Sequence, residues 1–285
     1  MGMVGTVGLV LHPQRDSKQA IDTILRWAAD KGATVLGLPE EVGRIDCTAV
    51  PVDTDALVDK ADLLVGLGGD GTMLRTMRLL AGRPTPILGV NLGKLGFLAE
   101  IDVDELPKTL SAIDRHEYTI EPRMAIRTSV NGTEMTAFND IALVRYPGHG
   151  LANVAVTPSD SPFVRYSADA VIVATSTGST AYSFSAGGPI VSPRVEAVLV
   201  VPAAAHSAFN RALVLPADEE VSLHVLPSSG RLAVEVDGAV MGHLCPGDSL
   251  TVTAWPGAAK VVRLGTTFYE RARRKLRVDG SIEAD

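Results

Sequence analysis

The chain has 285 residues, 33 acidic against 26 basic side chains for a formal net charge of −7, and 46% hydrophobic residues. That balance suits a globular protein of one large or two ordinary domains, and it argues against a general nucleic-acid binder, which carries a basic face. Cys47 and Cys245 have no partners at metal-ligand spacing, and two cysteines make no disulfide framework. The first residues lack the basic start and cleavage site of a signal peptide, and no apolar run reaches spanning length. A cytoplasmic protein is expected, with neither nucleic acid nor membrane as a partner.

The first part alternates strand and helix signals. Val4 to Leu11 is a short apolar run, and Ser17 stands where it can cap a helix over Lys18 to Ala29, with Ile21, Ile24, Leu25 and Ala28 on one face. ATVLGL at 33–38 and DLLVGL at 62–67 read as strands, TMLRTMRLLAG at 72–82 as a helix ended by Gly82, and TPILGV at 85–90 as a strand again. Asp104 to His116 reads as a helix. Such alternation predicts a parallel sheet with crossover helices.

From about residue 120 the pattern changes to short strands and turns. RMAIRTSV and TEMTAF flank Asn131-Gly132, a strong two-residue hairpin signal. ANVAVTP, ADAVIVAT, VEAVLVVP, VSLHVLP, RLAVEVDG and SLTVTAW follow, and TFYERARRKL closes the chain as a basic helix. The expected fold is α/β plus all-β. It has a Rossmann-like parallel α/β domain over residues 1–117, a β-sandwich-like domain over 118–265, and a C-terminal helical segment over 266–285 that packs back on the first domain.

The first chemical motif is VGLGGDGTMLR, Val65 to Arg75, where a buried strand enters a turn with Gly66, Gly68, Gly69 and Gly71 before a helix. Glycines permit positive φ and close ligand approach, and a helix start offers free N–H groups to phosphate. Gly66, Gly68 and Gly71 satisfy G-x-G-x-x-G, but the acidic residue that a dinucleotide fingerprint needs about 20 positions later is missing, because the next strand ends in Asn91. No Walker G-x-x-x-x-G-K-[ST] occurs. Asp70 can serve as a general base toward an attacking hydroxyl, face a Mg²⁺ on phosphate oxygens, or bond nearby backbone N–H groups. The residues alone leave all three open.

The second motif is DAVIVATSTGSTAYSFSAGGPIV, Asp169 to Val191. A buried strand delivers hydroxyls at Thr175, Ser176, Thr177, Ser179 and Thr180, which can bond ribose or phosphate oxygens or else satisfy the backbone of a polar turn. Tyr182 can stack on a ring.

GGDGT at 68–72 resembles the signature of the superfamily of NAD kinases, diacylglycerol-type lipid kinases and phosphofructokinases. The second motif resembles the T-x-T-G-S-T-A-Y-S-x-S-A-G-G-P-I block of NAD kinases, NLGKLGFLAE at 91–100 is similar to their N-x-G-x-L-G-F-L segment, and Asn139-Asp140 matches their N-[E/D] pair. The resemblance implies ATP-dependent phosphorylation of the adenosine 2′-hydroxyl of NAD to NADP, with Mg²⁺ accompanying ATP and no dedicated metal cage. It implies Asp70 as the base, with Gly71, Arg75 and Phe97 near the ligand. Asn139 and Asp140 would bond the adenosine, and Asp169 the nicotinamide ribose region. Thr177, Thr180, Ala181, Tyr182 and Ser185 would line the NAD pocket. It also implies a homodimer or homotetramer.

Departures fall mostly on the ligand side. Asp140 stands where bacterial members mostly have Glu, Ala170 where Gly follows the aspartate, and Ser176 in place of proline. Alanines at 203–205 precede His206 where asparagines are frequent, and Ala239 follows Asp237-Gly238 where a polar residue is common. Two alternatives therefore stand beside NAD phosphorylation: a paralogue phosphorylating another nucleoside or nucleotide, and a dinucleotide-binding regulator without chemistry. The six histidines show no zinc-site spacing. Arg271, Arg273, Arg274, Lys275 and Arg277 read as a solvated helix face or as a neutraliser of ATP phosphates.

Overall fold

The computed structural model describes residues 4–45, 47–93, 96–265 and 267–277. Lys94 and Leu95 of the 91–100 segment, and the chain after Arg277, lie outside the described residues. Two compact units are cut from the chain at Met1–Glu121 with Ala259–Asp285 and at Pro122–Ala258.

The first unit runs β1 (Thr6–Leu11), α1 (Lys18–Ala29), β2 (Thr34–Gly37), α2 (Pro39–Ile45), β3 (Val50–Pro51), α3 (Thr54–Lys60), β4 (Leu63–Gly68), α4 (Asp70–Leu80), β5 (Pro86–Asn91), β6 (Ile101–Asp102) and α5 (Leu106–Asp114). The strands are parallel in the order β3-β2-β1-β4-β5, the doubly wound arrangement predicted from alternation. Lys260 and Val261 add a parallel pairing to Pro86 and Ile87 of β5. β4 and β5 are buried along their whole length, as strands covered by helices on both faces must be. α1 buries Ala20, Ile21, Ile24 and Ala28. Ser17 occupies its N-cap position, but the Ser17 hydroxyl caps nothing, and Asp16 Oδ1 accepts the Lys18 N–H at 2.9 Å instead. The sequence reading omitted α2 and α3, which at seven residues each are too short for helical periodicity to register.

The second unit holds most of β7 (Thr119–Val130) and of β18 (Ser249–Arg263), and all of β8 (Thr133–Ala137), β9 (Asp140–Arg145), β10 (Ala152–Pro158), β11 (Val164–Ala168), β12 (Ala170–Thr175), α6 (Tyr182–Ser185), β13 (Ala197–Ala203), β14 (Leu213–Pro216), β15 (Val221–Val225), β16 (Leu232–Val236) and β17 (Ala239–Leu244). Asn131 and Gly132 both have positive φ, 52° and 80°, and join β7 to β8 as the hairpin predicted. One antiparallel sheet has the order β14-β13-β12-β9-β16-β17; in the other, β10 pairs β11 and β15, β15 pairs β18, and β7 pairs β18 and β8.

Ile141, Leu143, Val171 and Val173 of the first sheet share a core with Val154, Val156, Leu223 and Leu250 of the second, which makes the unit a sandwich. The alternate residues of β12, Ala170, Ile172 and Ala174, join a second core on the outer face, packed by Tyr182 and Ala186. Burial on both faces explains the uninterrupted apolar run of this strand. The last helix, α7 (Phe268–Leu276), opens on a capping box in which Thr267 and Glu270 bond reciprocally, and it belongs to the first unit.

Candidate functional site

The strand order of the first unit reverses between β1 and β4, and open α/β sheets bind ligands outside the carboxyl ends of strands at such a point. His12 follows β1 there and donates its N–H to the Leu67 carbonyl at 2.8 Å. Gly68 and Gly69 follow β4, and α4 begins at Asp70 rather than near Thr72. No side chain caps α4, so its first N–H groups are open to an anion.

The turn glycines work differently from the sequence reading. None of Gly66, Gly68, Gly69 and Gly71 has a positive φ. A β-carbon on Gly68 would overlap the Thr72 side chain, and one on Gly66 would lie 3.2 Å from Met73 Sδ. These two positions therefore let α4 press closely on β4.

Asp70 is half-buried and clamped. Its Oδ1 accepts the Leu98 N–H at 2.9 Å, and its Oδ2 accepts the Phe97 N–H at 3.0 Å. Lys275 of α7 donates to Oδ2 at 3.2 Å, and the same ammonium lies 4.4 Å from the Phe97 ring centroid. A methyl at Gly96 would overlap Oδ1, so a glycine is needed where this segment wraps the carboxylate.

Positive charge collects at the same end of the sheet. Burial first, and then the charges of Arg15, Arg44 and Arg75, push His12 below its ordinary pKa, which favours the neutral ring. His12 Nδ1 accepts the N–H groups of Gln14 and Arg15, each at 3.1 Å. Arg75 is tied to the buried carboxylate of Glu41 and to the Leu11 carbonyl at 2.8 Å, while the other Glu41 oxygen accepts the Leu11 N–H at 2.7 Å. The sequence reading did not single out Glu41.

In the second unit the polar motif folds over the start of β9. Thr177–Thr180 form a 3-10 turn, followed by Ala181 and α6. Thr175 Oγ1 donates to the Phe138 carbonyl at 2.6 Å, Ser176 Oγ to the Ala197 carbonyl at 3.3 Å, and Ser179 Oγ to the Ser176 carbonyl at 2.7 Å. All three residues are buried. For these three the backbone-satisfying alternative holds, and they are not available to ribose or phosphate. Buried Thr177 accepts from Arg123 at 3.2 Å. Thr180, Ala181 and Tyr182 are half-buried and Ser185 is exposed, so the outer half of the motif meets solvent.

Gly178 lies directly on the Asn139 backbone, whose carbonyl accepts the Thr175 N–H at 2.9 Å. Asp237 organises the segment from below: its carboxylate accepts the N–H groups of Phe138 at 3.2 Å, Asn139 at 2.7 Å and Asp140 at 3.3 Å. The Asp140 carboxyl is buried, and burial first, then the neighbouring Asp237 and Glu235 charges, push its pKa up to about 7. The Tyr182 N–H works in the opposite direction. Thus Asn139, Asp140, Thr177 and Tyr182 come together in one unit. Asp169, between β11 and β12, is partly exposed and accepts from Arg145 Nε at 2.5 Å. Asp237 was missed as an organiser, although Asp237-Gly238, with φ 47° and 80°, is a readable two-residue hairpin turn joining β16 to β17.

Residues 7–118 match the ATP-NAD kinase N-terminal domain and residues 138–264 the ATP-NAD kinase C-terminal domain. The chain is 38% identical to NAD kinase 1 of Streptomyces avermitilis, over 96% of this chain and 87% of that protein. It is 36% identical to the NAD kinase of Moorella thermoacetica, over 98% and 91%, and 40% identical to that of Gemmatimonas aurantiaca, over 97% and 94%. Its fold superposes on yeast NADH kinase complexed with NADH with a TM-score of 0.86 at 25% identity, covering 99% of this chain and 90% of that one. On the Archaeoglobus fulgidus NAD kinase in complex with ATP the TM-score is 0.73 at 23% identity, covering 96% and 100%. The chain belongs to the ATP-NAD kinase family.

Proposed function

We propose that this protein transfers the terminal phosphoryl group of ATP to the adenosine 2′-hydroxyl of NAD, forming NADP and ADP. The observation that carries this reading is the clamped Asp70 carboxylate at the open N-terminus of α4. A fixed carboxylate beside N–H groups suited to phosphate is what hydroxyl phosphorylation needs. In the proposed step the 2′-hydroxyl gives its proton to Asp70, and its oxygen forms a bond to the terminal phosphorus. The bond from that phosphorus to the bridging oxygen breaks, and ADP leaves with the electron pair.

The names of the relatives support the substrates: the family is described as ATP-NAD kinase, the sequence relatives named above are NAD kinases, and one structural neighbour is an NADH kinase complexed with NADH. Gly71, Arg75 and Phe97 are proposed to border the ligand beside Asp70. Asn139 and Asp140 are assigned to the adenosine, Asp169 to the nicotinamide ribose, and Thr177, Thr180, Ala181, Tyr182 and Ser185 to the pocket wall. Support comes from the gathering of Asn139, Asp140, Thr177 and Tyr182 and from the exposed outer half of the motif.

Mg²⁺ bound with ATP would supply charge neutralisation across the phosphate oxygens. Among the described residues no three His, Cys, Asp or Glu side chains form a cage. Asp70 is the carboxylate that would face such an ion. A homodimer or homotetramer is proposed as well, supported by Val240 and Met241, large apolar side chains exposed on strand β17 at the edge of its sheet. No described helix is long and apolar enough to cross a membrane. The proposed cytoplasmic location is supported by two free cysteines.

The test is to incubate purified protein with Mg-ATP and NAD and to identify the product by mass and by an NADP-specific dehydrogenase. NADP is the expected product. A folded protein that phosphorylates a different nucleoside but not NAD would move the assignment to the paralogue reading.

A further inference from the structure

In the sequence Lys275 is one of several cations on a basic helix, read as a solvated face or as a neutraliser of ATP phosphates. In the fold it is singled out. Its ammonium reaches Asp70 Oδ2 at 3.2 Å and lies over the Phe97 ring, 4.4 Å from the centroid. The helix that carries it is anchored one turn earlier by Arg271, which is buried and bonds Glu100 Oε2 at 2.5 Å. Glu100 also accepts from Arg263 at 3.0 Å and from the Leu264 N–H at 3.2 Å, and Arg263 bonds the Leu98 carbonyl at 3.1 Å. Leu98 in turn donates its N–H to Asp70 Oδ1. The lysine and the carboxylate it meets are thus held by one connected set of bonds.

The two Asp70 oxygens are unequally filled. Oδ2 takes two donors, the Phe97 N–H and Lys275 Nζ, whereas the only bond to Oδ1 among the described residues is the Leu98 N–H. An ionised carboxylate oxygen has about two in-plane acceptor sites. Oδ2 is therefore filled, whereas Oδ1, against which Gly96 packs, has a single donor among the described residues and the capacity to accept a second.

We propose that Lys275 is the positioning residue for Asp70: by occupying Oδ2 it fixes the carboxylate plane and leaves Oδ1 as the oxygen that takes the proton of the acceptor hydroxyl. The proposal rests on the reading of Asp70 as the proton acceptor. The step stays balanced, with the proton moving from the hydroxyl to Oδ1 and Lys275 neither gaining nor losing one.

The experiment measures steady-state NADP formation by the full chain in wild type, Lys275→Met, Lys275→Arg, Asp70→Asn and the Asp70→Asn/Lys275→Met double variant, with thermal unfolding recorded for each. In Lys275→Met, kcat is expected to fall about tenfold or more, while KM for NAD stays within about twofold; a positioned base contributes about 10²–10⁴ in rate. Lys275→Arg, which can still donate to Oδ2, is expected to recover most of that loss. In the Asp70→Asn background the lysine substitution is expected to change the residual rate by less than about twofold, because residues acting as a unit are non-additive.

Unchanged kcat in Lys275→Met would overturn the proposal, as would an equal further loss in the double variant, or a change confined to KM. Should Lys275→Met melt early, the Arg variant decides: a folded Lys275→Arg that has lost kcat as fully as Asp70→Asn contradicts a positioning role. Failure of the underlying reading looks different, since the wild type would then make no NADP or Asp70→Asn would keep the wild-type rate.

Discussion

Nη1 of Arg271 lies 2.5 Å from Oε2 of Glu100, and only 2% and 4% of the two side chains are exposed. A desolvated pair of this kind is costly to break from one side, because the remaining charge stays buried. Glu100 keeps its bond to Arg263, so Arg271→Ala is expected to lower unfolding stability by about 1–3 kcal/mol, from the lost charged hydrogen bond and packing of the buried guanidinium. It should also reduce NADP formation, since α7 carries Lys275 to Asp70. Urea unfolding of the variant beside the wild type checks the first effect, and kcat below the unfolding range checks the second.

Two glycine substitutions separate site from scaffold. A methyl at Gly96 overlaps the Asp70 carboxylate, whereas one at Gly178 overlaps the carbonyl and backbone carbon of Asn139. A side-chain carboxylate can swing away, but a strand start cannot. Gly96→Ala is therefore expected to keep most of its stability and lose most of its rate. Gly178→Ala is expected to lose several kcal/mol of stability, about 3 by the scale of overpacking. Calorimetry and rate measurements on both variants check the contrast.

Asp140 makes stability fall as pH rises. Its folded pKa of about 7 lies above the ordinary value of 3.8, so the folded state holds the proton more tightly. Its contribution is fully present below about pH 4 and is lost as pH climbs through about 7. At 1.36 kcal/mol per pK unit the ceiling is about 4 kcal/mol. Asp140→Asn is expected to flatten this slope, a change read by chemical denaturation at a series of pH values between about 4 and 8.

Much of this architecture is legible in residue order. The apolar run of β12 announced a strand buried on both faces, and Asn131-Gly132 announced its hairpin. The glycine turn and its aspartate pointed to phosphate chemistry. Other parts depend on contacts between residues far apart in sequence. The roles of Glu41, Glu100 and Lys275 come from partners at Arg75, Arg271 and Asp70, at separations of 34, 171 and 205 residues. Periodicity carries no signal at such distances. Thr175, Ser176 and Ser179 show the reverse limit, because a hydroxyl that feeds the backbone and one that feeds a ligand look alike in sequence.

The most direct measurement compares NADP formation from Mg-ATP and NAD by wild type and by Asp70→Asn, with matched folding by circular dichroism. The account predicts robust wild-type turnover and a fall of about 10²–10⁴ in kcat for the variant, with NAD still bound. A folded Asp70→Asn protein that makes NADP at the wild-type rate would contradict Asp70 as the proton acceptor, and a folded wild type that makes none would contradict the assigned reaction itself.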